Sequence, residues 1–221
     1  MSAKTLSLLV VVAAVVAGCG SSARQSSSSI KGSGKVVSVS RDVPSFTKID
    51  LRGAATISVT VGKKTAVAIS GDDNIVPLIH TEVNDGTLVI SQTRGYSTDI
   101  GLDVRVSTPE LVGSTLSGAG SLTADGISSK SFTADVAGAG RLDLVGTTGS
   151  VDLDVAGVGA VELGSLIARN AHVTLSGTGS VNVYASGTLD ATVNGVGSIR
   201  YSGNPAHVKT HIHGLGAITA D

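Results

Sequence analysis

Residues 155–181 read VAGVGAVELGSLIARNAHVTLSGTGSV, and two features of this stretch decide the fold. The first is a Gly-x-Gly triplet that returns, at Gly157/Gly159 and again at Gly177/Gly179. The second is the alternation around it. Val155 and Leu175 stand two positions before the first glycine, Val161 and Val181 two beyond the second, and the polar Glu162 and Asn182 follow at once. Apolar and polar positions that alternate with period two mark β-strands with one face inward.

The triplet recurs at Gly118/Gly120, Gly138/Gly140, Gly195/Gly197 and Gly214/Gly216, in steps of 20, 19, 20, 18 and 19 residues along the chain. A fixed period of this size is the mark of a solenoid whose repeats are single coils. Aligned on the first glycine, the slot two before it holds Leu116, Val136, Val155, Leu175, Val193 and Ile212, and the slot six before it holds Val112, Phe132, Val151, Ala171, Leu189 and Val208. Such strands stack in parallel only if each coil brings the chain back around. The expected fold is therefore all-β, a parallel β-helix with coils of about 19 residues and two or three short strands in each. The glycines are placed at a corner, where φ can be positive or two backbones pass close together. A phosphate-cradling loop would need GxGxxG opening a helix. A calcium-binding nonapeptide repeat would need Asp where Leu142 and Val161 stand.

Before the regular coils, which span 112–221, residues 34–111 are strand-rich but irregular, with strands expected at Val36 to Val39, Phe46 to Leu51, Thr56 to Val61, Thr65 to Ile69, Thr87 to Ser91 and Leu102 to Val106. Gly53-Ala54-Ala55 reads as a decayed first corner. Asp72 to Val83 lacks alternation and carries Pro77, so a short helix or loop is expected there. No linker separates this half from Val112, and 34–221 is expected to be one domain whose first coils lie in the irregular half.

At the N-terminus, Lys4 precedes the apolar run Leu6 to Val16, which ends in Val16-Ala17-Gly18-Cys19. A charged n-region, a short h-region and small residues at the cleavage point make 1–18 a removable signal. Its apolar run, at about 1.5 Å per residue, is too short for a hydrocarbon core of about 30 Å. The last four residues resemble the lipobox of bacterial lipoproteins, which implies a lipid on Cys19 and a membrane tether on the non-cytoplasmic side. The alternative is an ordinary secretory signal ending near Ala17. Cys19 is the one cysteine in 221 residues, so no disulfide within the chain can form. Residues 19–33, rich in Ser, are expected to be a flexible tether. Loss of Lys4 with the signal takes the formal charge from −1 to −2. That balance gives no case for nucleic acid.

Three segments carry a family resemblance: Phe46-Thr-Lys-Ile-Asp-Leu-Arg-Gly-Ala-Ala-Thr-Ile-Ser-Val59, Ile69-Ser-Gly-Asp-Asp-Asn74 and Thr81-Glu-Val-Asn-Asp-Gly-Thr-Leu-Val-Ile-Ser91. With the Gly-x-Gly coils behind them, they resemble the family called putative autotransporter adhesin, head GIN domain, over nearly all of 35–221. The resemblance implies a β-helix in a bacterial envelope and, by the family's name, adhesion; it carries no catalytic residues and no cofactor. The departure is Ala55, where a second glycine would complete the first corner.

Among outward side chains, Asp135 and Asp154 occupy equivalent slots in consecutive coils, with Asp152 beside them and Thr174, Thr192 and His211 continuing the row. Strands about 4.8 Å apart make this row a candidate ligand ladder, a carboxylate pair or a weak calcium site, against the plainer reading of a solvated β face. His211 and His213, with His207 nearby, could take a metal at two positions or simply decorate a terminal coil. His80 and His172 show no partners in sequence, and Tyr96 reads as a loop tip. With no Trp, three Tyr and two Phe, the chain offers few platforms for sugar rings. No serine sits in a Gly-x-Ser-x-Gly elbow.

Three functions follow: an envelope adhesion or interaction module binding a protein or a glycan, a scaffold lipoprotein without a dedicated ligand, and a polysaccharide-modifying enzyme. A cleft that brings a carboxylate and an Arg together would favour the last. The coil at Gly214 and Gly216 runs through Ile218 with no capping segment behind it, so either Asp72 to Val83 folds over an end or the end self-associates.

Overall fold

The computed structural model describes residues 29–221, and within it the chain winds as a parallel β-helix. The signal segment 1–18, Cys19 and most of the proposed tether lie outside the described residues. Each regular coil has three legs. In the coil 131–149, a first leg at 131–136 leads into the corner Gly138-Ala139-Gly140, a second leg runs to Leu144, and a short third leg follows a register shift between Asp143 and Gly146. All legs pair in parallel and in register with those of the next coil: Ala139 meets Val158, Gly140 meets Gly159, and Leu142 meets Val161.

Alternation along the legs sends one row of side chains inward, and these fill the tube. Phe132, Ala134, Val136, Leu142, Leu144, Val151, Leu153 and Val155 are all buried, and the pattern repeats through Val193 and Ile199. Each such Val, Leu or Phe contributes about 1.5–3 kcal/mol by leaving water. These inward rows stack coil on coil, so each corner must return the chain to the same place, and register shifts in the third leg absorb the differences in coil length.

Of the two roles open to the corner glycines, close approach is realised at every corner, and Gly120, Gly179 and Gly197 also take positive φ. A Cβ at Gly177 would lie 1.9 Å from the carbonyl oxygen of Gly157, and one at Gly157 would lie 1.9 Å from that of Gly138. The same overlap recurs at Gly118, Gly120, Gly138, Gly140, Gly159, Gly179, Gly195, Gly197, Gly214 and Gly216, each against the coil before it. The residue between the glycines is turned outward, and its N–H donates to the first glycine's carbonyl one coil back, as from Thr178 to Gly157 at 3.0 Å. Ala55 is allowed for a related reason. It belongs to the first corner of the stack, and beneath that corner lies no further glycine but the Gln92 side chain, whose amide oxygen accepts from the Ala54 N–H at 3.2 Å.

The irregular half departs from the expected parallel coils. Lys48–Leu51 and Ala54–Val61 do form a first coil, pairing with Gly113–Leu116 and with the start of Ala119–Val136. Beyond it the two stacks end in antiparallel extensions. The second-leg stack continues to Asp103–Thr108, then Ala66–Asp72 and Val36–Arg41, and the first-leg stack to Thr87–Gln92 and Ile79–Asn84. A 3-10 turn at Val76–Leu78 links the two extensions and buries Ile75 and Val76. The Asp72 to Val83 segment is thus a turn followed by a strand, and it closes the N-terminal end. At the other end Val208 is 43%, Ile212 48% and Leu215 78% exposed.

The folded part also begins earlier than residue 34. Ile30–Lys31 pairs with Tyr96–Ser97, and Asp72, 1% exposed, accepts from the Gly34 N–H and the Thr98 hydroxyl, both at 2.5 Å. Asn74 donates to the Lys31 carbonyl at 2.9 Å, and Ser33 donates to Asp73 at 2.7 Å. The Ser33 hydrogen bond holds the Asp73 carboxyl below its ordinary value; burial opposes it, and Lys35 adds to the lowering. A Cβ at Gly32 would collide with Asp72, so glycine is needed for the strap to seat. Tyr96 is no loop tip. It is half-buried, and its hydroxyl donates to the Ala54 carbonyl at the first corner.

Gly177→Val should lower stability by about 3 kcal/mol or more, the upper range for overpacking against unyielding neighbours. Thr178→Val, on an outward side chain one residue away, should change it by no more than about 0.5 kcal/mol. Urea melts of the two variants compare these directly, and equal midpoints would remove the close-approach argument.

Candidate functional site

Because the first legs stack in register, their outward residues form three straight rows on one polar face. One row is Asp50, Thr115, Asp135, Asp154, Thr174, Thr192 and His211; its neighbour is Lys48, Gly113, Thr133, Asp152, His172, Asp190 and Lys209. The third, starting two coils later, is Ser131, Ser150, Asn170, Thr188 and His207. The ladder expected from sequence is therefore assembled, residue on residue, and extends two coils further to Asp50. His172, without a partner in sequence, lies between Asp152 and Asp190, and beside it is a hollow of about 520 Å³. His211 and His213 stack with ring centroids 6.4 Å apart at the open end. Among the described residues no group of three His, Cys, Asp or Glu side chains is arranged to hold a metal.

A second concave place on this face lies nearer its N-terminal end. Gly113 occupies a slot that every later coil fills with Thr133, Asp152, His172, Asp190 or Lys209, and the missing side chain leaves a notch between Lys48 and Thr133. A Cβ there would lie 3.2 Å from the Thr133 carbonyl oxygen and 3.4 Å from Lys48 Cγ. The resulting cleft, of about 460 Å³, is bordered by Lys48, Asp50, Arg52, Thr115, Thr133 and Asp135. Its far wall is the tight turn Asn84-Asp85-Gly86, where Asp85 and Gly86 both take positive φ, the two-residue connection that suits an antiparallel pair.

The charges in the cleft differ in state. Asp50 is 8% exposed and engaged, for Arg52 Nε–H donates to it at 2.6 Å. Asp135 has no ion pair among the described residues. Burial raises its carboxyl above the usual value, the charge of Asp154 adds to that, a hydrogen bond from Thr115 opposes it, and Asp152 adds a little more. The cleft therefore has the carboxylate-and-arginine composition set above as favouring an enzyme. Its geometry gives that reading little, since the arginine is taken up by Asp50. Lys48, Asp50, Arg52, Gly113, Thr115 and Thr133 were missed in sequence. Alignment on the glycines already held the signal, a single Gly in an otherwise polar row.

The family model described as "Putative auto-transporter adhesin, head GIN domain" matches residues 45–205. A solved structure of a putative adhesin from Bacteroides fragilis NCTC 9343 is 28% identical, with a TM-score of 0.73 and coverage of 87% of this chain and 100% of that one. A putative lipid binding protein from Parabacteroides distasonis ATCC 8503 is 20% identical, with a TM-score of 0.49 and coverage of 88% and 100%. No curated protein matches the chain.

The raised carboxyl of Asp135 fixes the sign of a pH effect. The native state holds this proton more readily than the unfolded chain, so the contribution of Asp135 to stability falls as pH rises above the ordinary value of 3.8. At neutral pH its charge costs stability. Asp135→Asn should raise the melting temperature at neutral pH by about 2 °C, with the gain gone near pH 3. Melts at both pH values check this; a variant less stable than wild type at neutral pH would reverse the sign.

Proposed function

The chain belongs to the family described as putative auto-transporter adhesin, head GIN domain, and from that premise we propose that it is a lipid-anchored, non-enzymatic adhesion or interaction module of the bacterial envelope. The observation that carries the reading is the flat polar face of the first-leg stack. Its hydroxyl, amide and carboxylate side chains recur about every 4.8 Å, a spacing suited to a repetitive, hydrogen-bonding partner such as a glycan or an extended protein surface. The anchor is supported by Lys4, the run Leu6 to Val16 and the small residues before Cys19. The enzyme reading is favoured only by the composition of the Gly113 cleft. Two unpaired carboxylates, Asp85 and Asp135, beside the engaged Asp50, with no positioned nucleophile, define no reaction.

Beads coated with the protein should adhere to envelope polysaccharide or protein fractions. Asp154→Lys with Thr174→Lys on the polar face should cut adhesion at least tenfold, while Ser180→Lys on the second-leg face should leave it intact. Equal losses from both faces would sink the assignment.

The anchor is tested apart from the face. Wild type should incorporate radiolabelled palmitate and partition into detergent, and Cys19→Ser should remain unprocessed and unlabelled. Wild-type protein released quantitatively without label would reject the anchor.

The exposed coil carrying Val208, Ile212 and Leu215 is read as a contact between two copies. The opposite end is closed by antiparallel extensions, so head-to-tail stacking is blocked and a closed pair is favoured. Light scattering should show a concentration-dependent dimer that Ile218→Lys abolishes. A strict monomer at every concentration would reject it.

A further inference from the structure

We propose that the Gly113 cleft is a binding site for a zwitterionic group, with Lys48 taking the ligand's carboxylate and Asp135 its ammonium. This deepens the interaction-module reading and rests on it, since it names the chemistry that one part of the polar face recognises.

The case starts from two charges that do not meet. Neither Lys48 nor Asp135 forms an ion pair among the described residues, although both border the same cleft. Their positions explain why. Lys48 and Asp135 lie two ladder steps apart, through Gly113 and Thr115, and two residues apart along the strand direction. That places their backbones about 12 Å from each other, so an ion pair would need both side chains stretched toward each other along the face, an arrangement the structure does not adopt. A side chain at Gly113 would fill the space between them, and the chain places none there. The stem of Lys48 lies beside the notch instead, with its Cγ 3.4 Å from where a Cβ of residue 113 would stand.

The two walls also differ in balance. On the Lys48 side, Arg52 is neutralised by Asp50 at 2.6 Å, which leaves the lysine as the free cation, with the unpaired Asp85 on the facing turn. On the Asp135 side, Asp154 follows in the same row and Asp152 in the next, with no arginine or lysine between them. Burial and these neighbours disfavour the charged carboxylate, so an incoming ammonium meets an uncompensated anion. Thr115 and Thr133 stand between the two charges and supply hydroxyls to the middle of a ligand. A purely anionic ligand would satisfy Lys48 and be repelled by Asp85, by Asp135 and by the two aspartates behind it. A purely cationic one would leave Lys48 unpaired. A neutral sugar ring would find hydroxyl partners but no use for the separation of charge. A volume of about 460 Å³ suits a group of amino-acid or amino-sugar size.

Ligand-observed NMR on the full processed chain tests this with 6-aminohexanoate as the zwitterion, and hexanoate, hexylammonium and glucose as comparisons. The zwitterion should bind at least tenfold more tightly than any of the three. Lys48→Gln should remove its advantage over hexylammonium, and Asp135→Asn its advantage over hexanoate. Both positions face solvent, and circular dichroism will report that the variants keep their strands. Glucose binding as well as the zwitterion, or zwitterion binding untouched by both variants, would overturn the proposal. If the zwitterion fails while the coated beads still adhere through the Asp154 and Thr174 face, this inference falls and the module reading stands. If both fail, both fall.

Discussion

The fold depends on one steric fact, that at each corner the backbones of consecutive coils lie so close that a carbonyl oxygen occupies the place where a Cβ would stand. Gly157 over Gly138 and Gly177 over Gly157 each leave 1.9 Å for an atom that needs more than 3 Å. Because only glycine fits, the corner cannot drift along the chain, and each coil starts its next leg from the same point. Register follows from this. Once Gly140 is set on Gly159, Leu142 must stack on Val161 and Asp143 on Glu162. The inward row then closes into a continuous core, and the outward rows become straight lines of chemistry.

The candidate site is a by-product of that regularity and of one interruption to it. Rows of Thr, Asp and His at about 4.8 Å intervals make a face that is flat and evenly polar, which suits extended partners better than small ones. Gly113 breaks the evenness by omission. It lies outside the corner, where nothing forbids a side chain as firmly as at Gly118, and its effect is to open a cleft between a free lysine and a free aspartate. The retained charge of Asp135, disfavoured by burial and by Asp154, is the kind of local cost that a purely structural face would have no reason to keep.

Legibility in sequence tracks the range of the interactions involved. The coils from Val112 onward were readable because each depends on local alternation and on a neighbour about 19 residues away in the same slot. The ladder Asp135, Asp154, Thr174, Thr192 and His211 was readable for the same reason. The N-terminal closure was not. Gln92 on Ala54, Tyr96 on Ala54 and Asp72 on Gly34 are contacts across 38 to 42 residues between unlike segments, with no repeat to announce them. His172 looked solitary because its partners Asp152 and Asp190 lie one coil to either side, visible only when slots are read down the stack. The strap at Ile30–Lys31 was hidden by composition, since a serine-rich run reads as tether up to the residue that pairs.

The strap gives the molecule a mechanical order of failure. A pull arriving through the chain ahead of Ile30 acts first on a two-residue parallel pair and on the hydrogen bonds around Asp72, Asp73 and Asn74. The coils behind are zipped together along every leg and share a continuous core. The strap therefore yields before the solenoid does, like a fuse, and residues 30–35 pay out about 20 Å of slack. Tension is absorbed as added reach while the polar face keeps its shape.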